Sequence, residues 1–251
     1  MSTLPAAFRT IVLVPLFFIL TLITAIYVTI VGHIRRDSPH NDRVIRAWSS
    51  VFLSIPPIRY EVEGTEVVNE TQMYVVVSNH LSNFDIPLLF RTVPLTIRFL
   101  AKKEIYKIPF VAQAMDTVGI VKIDRKAGMS THQAINAGVA NAKERGFSLM
   151  VFPEGTRSVD GEMKDFKKGA FRIAIDNHLP ILPVVIDGTR EANPPHQWLI
   201  RRARARVRIL APIDTTGMTI REDVSGLLKD TREQMLEVYD EMRRSHPGSQ
   251  S

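Results

Sequence analysis

The longest apolar stretch of the chain comes first. From Ile11 to Gly32 no residue is charged, and Ile, Leu, Val and Phe dominate. That length is about what a bilayer's hydrocarbon thickness asks of a helix, so the run reads as a membrane segment that spans the bilayer or dips into it. It is too long for the apolar core of a secretory signal peptide, Arg9 is the only basic side chain before it, and no small-x-small cleavage site follows. Arg35, Arg36, Arg43 and Arg46 come after the run, and this positive-inside bias puts the rest of the chain on the cytoplasmic face. Residues 41–55 then repeat apolar side chains at helical spacing: Val44, Ile45, Trp48, Val51, Phe52 and Ile55. They predict a second, amphipathic helix, with a Trp that suits a membrane interface or the flank of the main domain equally well. Pro56-Pro57 ends it.

Beyond residue 58 the pattern changes to short apolar runs alternating with helical periodicity. The runs predict strands at Met73–Ser78, Ile97–Ala101, Gly119–Ile123, Ser148–Phe152, Ile181–Ile186 and Ala205–Leu210. Helices are predicted at Ile86–Arg91, Pro109–Asp116, Ser130–Arg145, Lys168–Asn177 and Arg221–Arg244. This is an α/β pattern: a single mixed, largely parallel sheet covered by helices, preceded by a membrane helix and an amphipathic helix. The expected division is 1–57 for the membrane-anchoring helices, 58–245 for the main domain and 246–251 for a disordered tail.

Composition narrows the chemistry. The chain has no cysteine, which removes disulfides, thiolate metal sites and a thiol nucleophile together. A net charge of +6 with pI near 9.7 points to anionic partners without choosing among nucleic acid, headgroups and phosphorylated small molecules. No nucleic-acid recognition motif accompanies the basic residues, so nucleic acid is set aside. The histidines show no metal-ligand spacing, and no metal is expected.

In α/β sheets functional residues gather beyond the carboxyl ends of strands. Val75-Val76-Val77 runs directly into Ser78-Asn79-His80-Leu81-Ser82-Asn83-Phe84-Asp85. His80 and Asp85 would lie about 140° apart on a regular helix and on opposite faces of a strand, so they meet only if the chain curls. Pro87 fits such a curl, with Asp85 or Asn83 as the helix cap; a cap alone is the plainer reading of Asp85. A second strand ends in Phe152-Pro153-Glu154-Gly155-Thr156-Arg157-Ser158. There a Gly permits close backbone approach, successive N–H groups form an anion nest and Arg157 grips phosphate, although a surface turn with a Glu–Arg pair explains it too. The third end, Ile123-Asp124-Arg125, reads alone as a surface ion pair.

Together these blocks resemble the glycerolipid acyltransferases of the lysophosphatidate acyltransferase type, across roughly residues 70 to 190. The resemblance implies His80 and Asp85 as the catalytic pair, from a histidine, four residues, then aspartate. Ile123-Asp124-Arg125 looks like the second block, Phe152 to Ser158 like the acceptor-binding block, and Leu182-Pro183-Val184-Val185-Ile186 like the fourth. It implies an acceptor-phosphate site drawn from Lys102, Arg125, Glu154, Gly155, Thr156 and Arg157, with Lys103 beside Lys102 as the neighbouring choice. The implied acceptor is 1-acyl-glycerol 3-phosphate, a membrane lipid; the implied donor is acyl-coenzyme A or acyl carrier protein; the product is phosphatidate, in phospholipid biosynthesis. Glycerol 3-phosphate or another lysophospholipid is the nearest competing acceptor, and a non-catalytic scaffold for anionic lipid is the reading from another class.

The residues agree with that chemistry. A hydroxyl becomes a useful nucleophile when a positioned base takes its proton, and His held by a carboxylate does this. Without Cys or a Gly-x-Ser-x-Gly elbow, direct attack by the acceptor on a thioester is expected, with no acyl-enzyme and no cofactor beyond the donor as co-substrate. One feature lies outside the blocks: Arg202, Arg204, Arg206 and Arg208 alternate with Ala and Val. As a strand they would make a basic stripe, either a solvated edge strand protected by charge or a contact for headgroups or an acyl carrier.

Overall fold

The computed structural model describes residues 6–35, 39–55, 57–108, 110–123 and 129–245. The expected tail at 246–251 and Pro56 lie outside them. Seven strands, β1 Ile58–Glu63, β2 Val75–Ser78, β3 Ile97–Lys102, β4 Val121–Ile123, β5 Ser148–Val151, β6 Ile181–Asp187 and β7 Ala203–Ile209, form one sheet in the order β1-β7-β6-β2-β5-β3-β4. Neighbours are parallel apart from β6 and β7, which is the mixed, largely parallel sheet expected. The helices are α1 Ala6–Ile34, α2 Pro39–Ser54, α3 Asp85–Thr92, α4 Val111–Val118, α5 Met129–Arg145, α6 Gly169–Asn177, α7 Thr189–Ala192 and α8 Val224–Arg244.

The central strand shows why the sequence folds this way. Val75, Val76 and Val77 are fully buried, as a strand covered on both faces requires. Val76 joins the cluster that includes Leu13, Phe17, Leu53, Leu88 and Phe99. Val75 and Val77 join the opposite one with Phe171, Met235 and Tyr239. Thus α1, α2 and α3 cover one face, and α6 and α8 cover the other.

Helix α1 buries Leu13, Phe17, Ala25 and Val28 while Ile11, Val12, Phe18, Ile19, Ile23 and Ile30 stay exposed. It is long and apolar enough to cross a membrane, and only 22% of its most apolar window is buried. A core helix of a soluble protein would be mostly buried. Each large apolar side chain moved out of water gains roughly 1.5–3 kcal/mol, so this exposed row associates the chain with a membrane. Helix α2 turns its apolar stripe inward: Ile45, Trp48 and Phe52 pack on the core. Arg46 donates to the carbonyls of Val93 and Leu95 at 3.1 and 3.0 Å, and Asp42 pairs with the buried Arg98 at 2.6 Å. The indole of Trp48 donates to Thr21 of α1 at 3.2 Å. Among the two settings open for this helix, it occupies the flank of the domain.

Among the strands and α-helices, two were not expected. In β1, Ile58, Tyr60 and Val62 alternate with Arg59, Glu61 and Glu63, a period-2 pattern hidden behind Pro56-Pro57. Helix α7 is a single turn, too short for any periodicity. Of the two readings open for β7, the edge strand does not hold: β7 lies between β1 and β6.

Candidate active site

Because β2, β3, β4, β5 and β6 are mutually parallel, their carboxyl ends converge on one edge of the sheet. That edge carries His80 after β2, the turn at 152–158 after β5 and Gly188-Thr189 after β6. Lys102 ends β3 in register with Ile123 of β4, at the same edge. The Lys102 side chain, Asp124 and Arg125 lie outside the described residues.

After β2 the chain curls through Leu81 to Phe84 before entering α3. Asn79 fixes the start by bonding both ways across to β6: its amide donates to the Ile186 carbonyl and its carbonyl oxygen accepts from the Ile186 N–H, each at 2.8 Å. The curl brings the His80 Nδ1 to 2.7 Å from an Asp85 carboxylate oxygen. The same oxygen, Oδ2, accepts the Leu81 and Ser82 N–H groups at 2.7 and 2.8 Å, and the other takes the Thr189 hydroxyl at 2.5 Å. Asp85 is fully buried. It is the first residue of α3, whose preceding position is Phe84 with no side-chain cap bond. Its carboxylate therefore serves the loop before the helix instead of the helix's own N–H groups, so the plain capping reading does not describe it.

An ionised carboxylate only accepts, so the imidazole facing it donates from Nδ1 and its Nε2 lone pair is left to accept a proton. Phe152 lies flat against the ring, centroids 3.9 Å apart and planes 9° from parallel, which limits rotation about the ring's attachment. His80 is partly open to solvent, with 16% of its side chain exposed.

Glu154 binds the second block to the first. One of its oxygens accepts the His80 backbone N–H at 2.8 Å and the other accepts the Lys164 N–H at 3.1 Å. Burial pushes its carboxyl above the ordinary glutamate range, against the pull of those two bonds. The Ser158 N–H returns to the His80 carbonyl at 2.8 Å. Helix α8 holds the far side of this loop, with the Tyr239 hydroxyl donating to the Gly161 carbonyl at 2.6 Å and Arg232 donating to the Met163 and Lys164 carbonyls. Glu154 was expected in the acceptor site; here its carboxylate is buried and turned inward onto two backbone N–H groups, where it holds the backbone of His80.

Gly155 adopts φ 75, a conformation that L side chains avoid, and so makes the turn. Thr156 beyond it is exposed and Arg157 is half-buried. The Arg157 carbonyl accepts from the Lys164 ammonium at 2.9 Å, yet among the described residues its guanidinium makes no hydrogen bond or ion pair. Among the described residues the alternative reading, a surface Glu154–Arg157 pair, does not hold. Sequence reasoning missed Thr189, Phe152 as a stacking partner, and Lys164. Thr189 carried one signal, the Gly188-Thr189 step directly after the fourth block. Gly188 has φ 85, and a Cβ there would stand 1.9 Å from the Arg204 carbonyl oxygen.

A family model described as Acyltransferase matches residues 59–187. The 1-acyl-sn-glycerol-3-phosphate acyltransferase of Saccharomyces cerevisiae is 35% identical over 171 residues, which are 67% of this chain and 56% of that relative's length. The 1-acyl-sn-glycerol-3-phosphate acyltransferase alpha of Mus musculus is 31% identical over 210 residues, 83% of this chain and 73% of the relative. Among solved structures, the 1-acyl-sn-glycerophosphate (LPA) acyltransferase PlsC of Thermotoga maritima superposes with a TM-score of 0.79 at 27% identity, covering 96% of this chain and 99% of that one.

Proposed function

Since the chain belongs to the acyltransferase family, we propose that it moves a fatty acyl group from a thioester donor to the free hydroxyl of 1-acyl-glycerol 3-phosphate, forming phosphatidate. The observation that carries the reading is the His80–Asp85 contact of 2.7 Å, with Asp85 buried and the imidazole partly open. The relatives named for this acceptor supply the substrate class.

His80 Nε2 takes the proton of the acceptor hydroxyl as its oxygen attacks the thioester carbonyl. The imidazolium so formed is stabilised by the Asp85 carboxylate. When the tetrahedral intermediate collapses, the carbon–sulfur bond breaks and the imidazolium returns its proton to the departing thiolate. Proton and charge then balance with no acyl-enzyme and no cofactor besides the donor, acyl-coenzyme A or acyl carrier protein. On this reading Arg157 takes the acceptor's phosphate, since its planar fork suits two phosphate oxygens, with the Gly155-Thr156 turn beside it; Lys102 ends β3 at the same edge, and the resemblance adds Arg125, which lies outside the described residues.

Membrane attachment through α1 suits a lipid acceptor, and the arginines after it orient the catalytic edge to the cytoplasmic face. The test is direct: purified protein in mixed micelles receives lysophosphatidate or glycerol 3-phosphate with a labelled acyl-coenzyme A, and the product and its acyl position are identified. Phosphatidate from wild type and none from His80→Ala of unchanged melting temperature is expected. Label on glycerol 3-phosphate alone would overturn the acceptor assignment.

A further inference from the structure

The arginines of β7 divide into two sets once their neighbours are known. Ala203, Ala205, Val207 and Ile209 join the cluster containing Leu13, Phe17 and Leu53, so alternation turns Arg204, Arg206 and Arg208 to the opposite face. Parallel register with β1 sets Arg208 beside Glu63, Arg206 beside Glu61 and Arg204 beside Arg59. Arg208 is held by Glu63 at 2.7 Å and Glu241 at 2.9 Å. Arg206 is held by Asp187 at 3.0 Å, by Ser245 and by the Met242 carbonyl. The last rung differs. Arg59 and Arg204 are both exposed, and among the described residues neither side chain has an ion pair or hydrogen bond. Like charges opposite one another on adjacent strands repel. Arg59 and Arg204 line a cleft of about 380 Å³, together with Glu61, Arg206 and Ser245.

The cleft's position is informative in two ways. Because β7 runs antiparallel to β6, the Arg204 end of β7 lies at the catalytic edge: the Arg204 carbonyl abuts Gly188, and the next residue, Thr189, donates to Asp85. The arginines also face away from α1 and α2, which cover the other side of the sheet. Headgroups of a bilayer that holds α1 would not meet them, whereas a water-soluble anion would. A pantetheine thioester places its phosphates a full pantetheine arm away from the reacting carbonyl, so a donor at His80 needs a cation site at a distance from it. A recess of this size suits nucleotide phosphates better than the broad face of a carrier protein.

We propose that Arg59 and Arg204 bind the phosphate groups of a coenzyme A-type acyl donor, which approaches from the sheet face opposite the membrane helices. This rests on the thioester reading given above. The test uses the full chain in detergent with Arg59→Ala/Arg204→Ala and, separately, Arg204→Lys. The double variant is expected to raise the KM for acyl-coenzyme A about tenfold or more, the size of lost bonds to a charged group. The kcat and the lysophosphatidate KM should stay at wild-type values, and Arg204→Lys should keep most of the affinity because it keeps a phosphate-binding charge. Calorimetric titration with free coenzyme A, which needs no turnover, should weaken by the same factor. An unchanged acyl-coenzyme A KM with unchanged coenzyme A binding would overturn the proposal. So would a rise confined to lysophosphatidate, which would make the cleft a lipid site, or a loss seen with acyl carrier protein alone. A wild type that binds coenzyme A through these arginines yet acylates no lysophosphatidate would sink the acceptor assignment and leave this site standing.

Discussion

Replacing Asp85 by Asn separates the electrostatic part of the dyad from its architecture. Oδ2 accepts three donors, His80 Nδ1–H and the N–H groups of Leu81 and Ser82, while Oδ1 accepts only the Thr189 hydroxyl. An amide has one acceptor oxygen, and only one orientation is tolerable: the oxygen toward the three donors and the NH2 toward Thr189, whose hydroxyl can rotate to accept. The curl from Leu81 to Phe84 and the Nδ1–H tautomer then survive. What disappears is the negative charge that stabilises the imidazolium, and a hydrogen bond to a charged group contributes about 1.5–3 kcal/mol. At 1.36 kcal/mol per decade, kcat should fall about 10- to 150-fold. Asp85→Ala, in contrast, leaves two buried backbone N–H groups without partners, at about 1–3 kcal/mol each, so it should lower the melting temperature markedly as well. The assay is single-turnover acyl transfer to lysophosphatidate beside thermal unfolding for both variants. A kcat for Asp85→Asn within about threefold of wild type, a barrier change well under 1 kcal/mol, would refute the reasoning; so would a lowered melting temperature with normal turnover.

Arg157→Lys keeps the charge and loses the fork, so the KM for lysophosphatidate should rise on the order of tenfold or more while donor kinetics hold; equal loss with an acceptor lacking the phosphate would show that Arg157 serves the turn. Thr189→Val removes the 2.5 Å bond to Asp85 with little change of volume, and kcat should drop roughly tenfold, as for a hydrogen bond of about 1.5 kcal/mol, with both KM values unchanged and Thr189→Ser restoring activity. Glu154 is held above its ordinary range by burial, so its contribution to folding is fullest below the unfolded glutamate pKa and is lost as pH rises through the higher folded value. Thermal melts across that window should show wild type losing stability relative to Glu154→Gln, and parallel curves for the two would contradict the burial argument.

The parallel sheet was legible because its strands are buried on both faces and so read as uninterrupted apolar runs, Val75 to Val77 and Ile181 to Ile186 above all. The strand that escaped, β1, alternates instead, because one face of an outermost strand lies against the core and the other meets charge. Its partner β7 was recognised, with an edge position as one of two open readings, since Arg206 and Arg208 look solvated until Asp187, Glu63 and Glu241 arrive from distant parts of the chain. Periodicity reports which face of an element is polar. It carries no information on whether that polarity meets water or a partner.

The site shows the same division between local and distant information. His80, Asp85 and Arg157 stand out because polar residues interrupt apolar strands abruptly, and such interruptions are local. Whether His80 and Asp85 touch depends on the Leu81–Phe84 curl, which is held by backbone N–H groups folding onto the carboxylate, so the motif supplies the acceptor that shapes its own loop. Glu154 illustrates the opposite case. A glutamate between Pro and Gly at a strand end looks available for binding, but β5 lies directly beside β2, and that adjacency aims its carboxylate at the His80 N–H. Thr189 was invisible for a related reason: its partner is 104 residues away, and only the order β6-β2-β5 makes the ends of those three strands neighbours. Sheet order, which no short window of sequence contains, therefore decides which of the polar strand ends form the dyad's support and which are left to meet substrate.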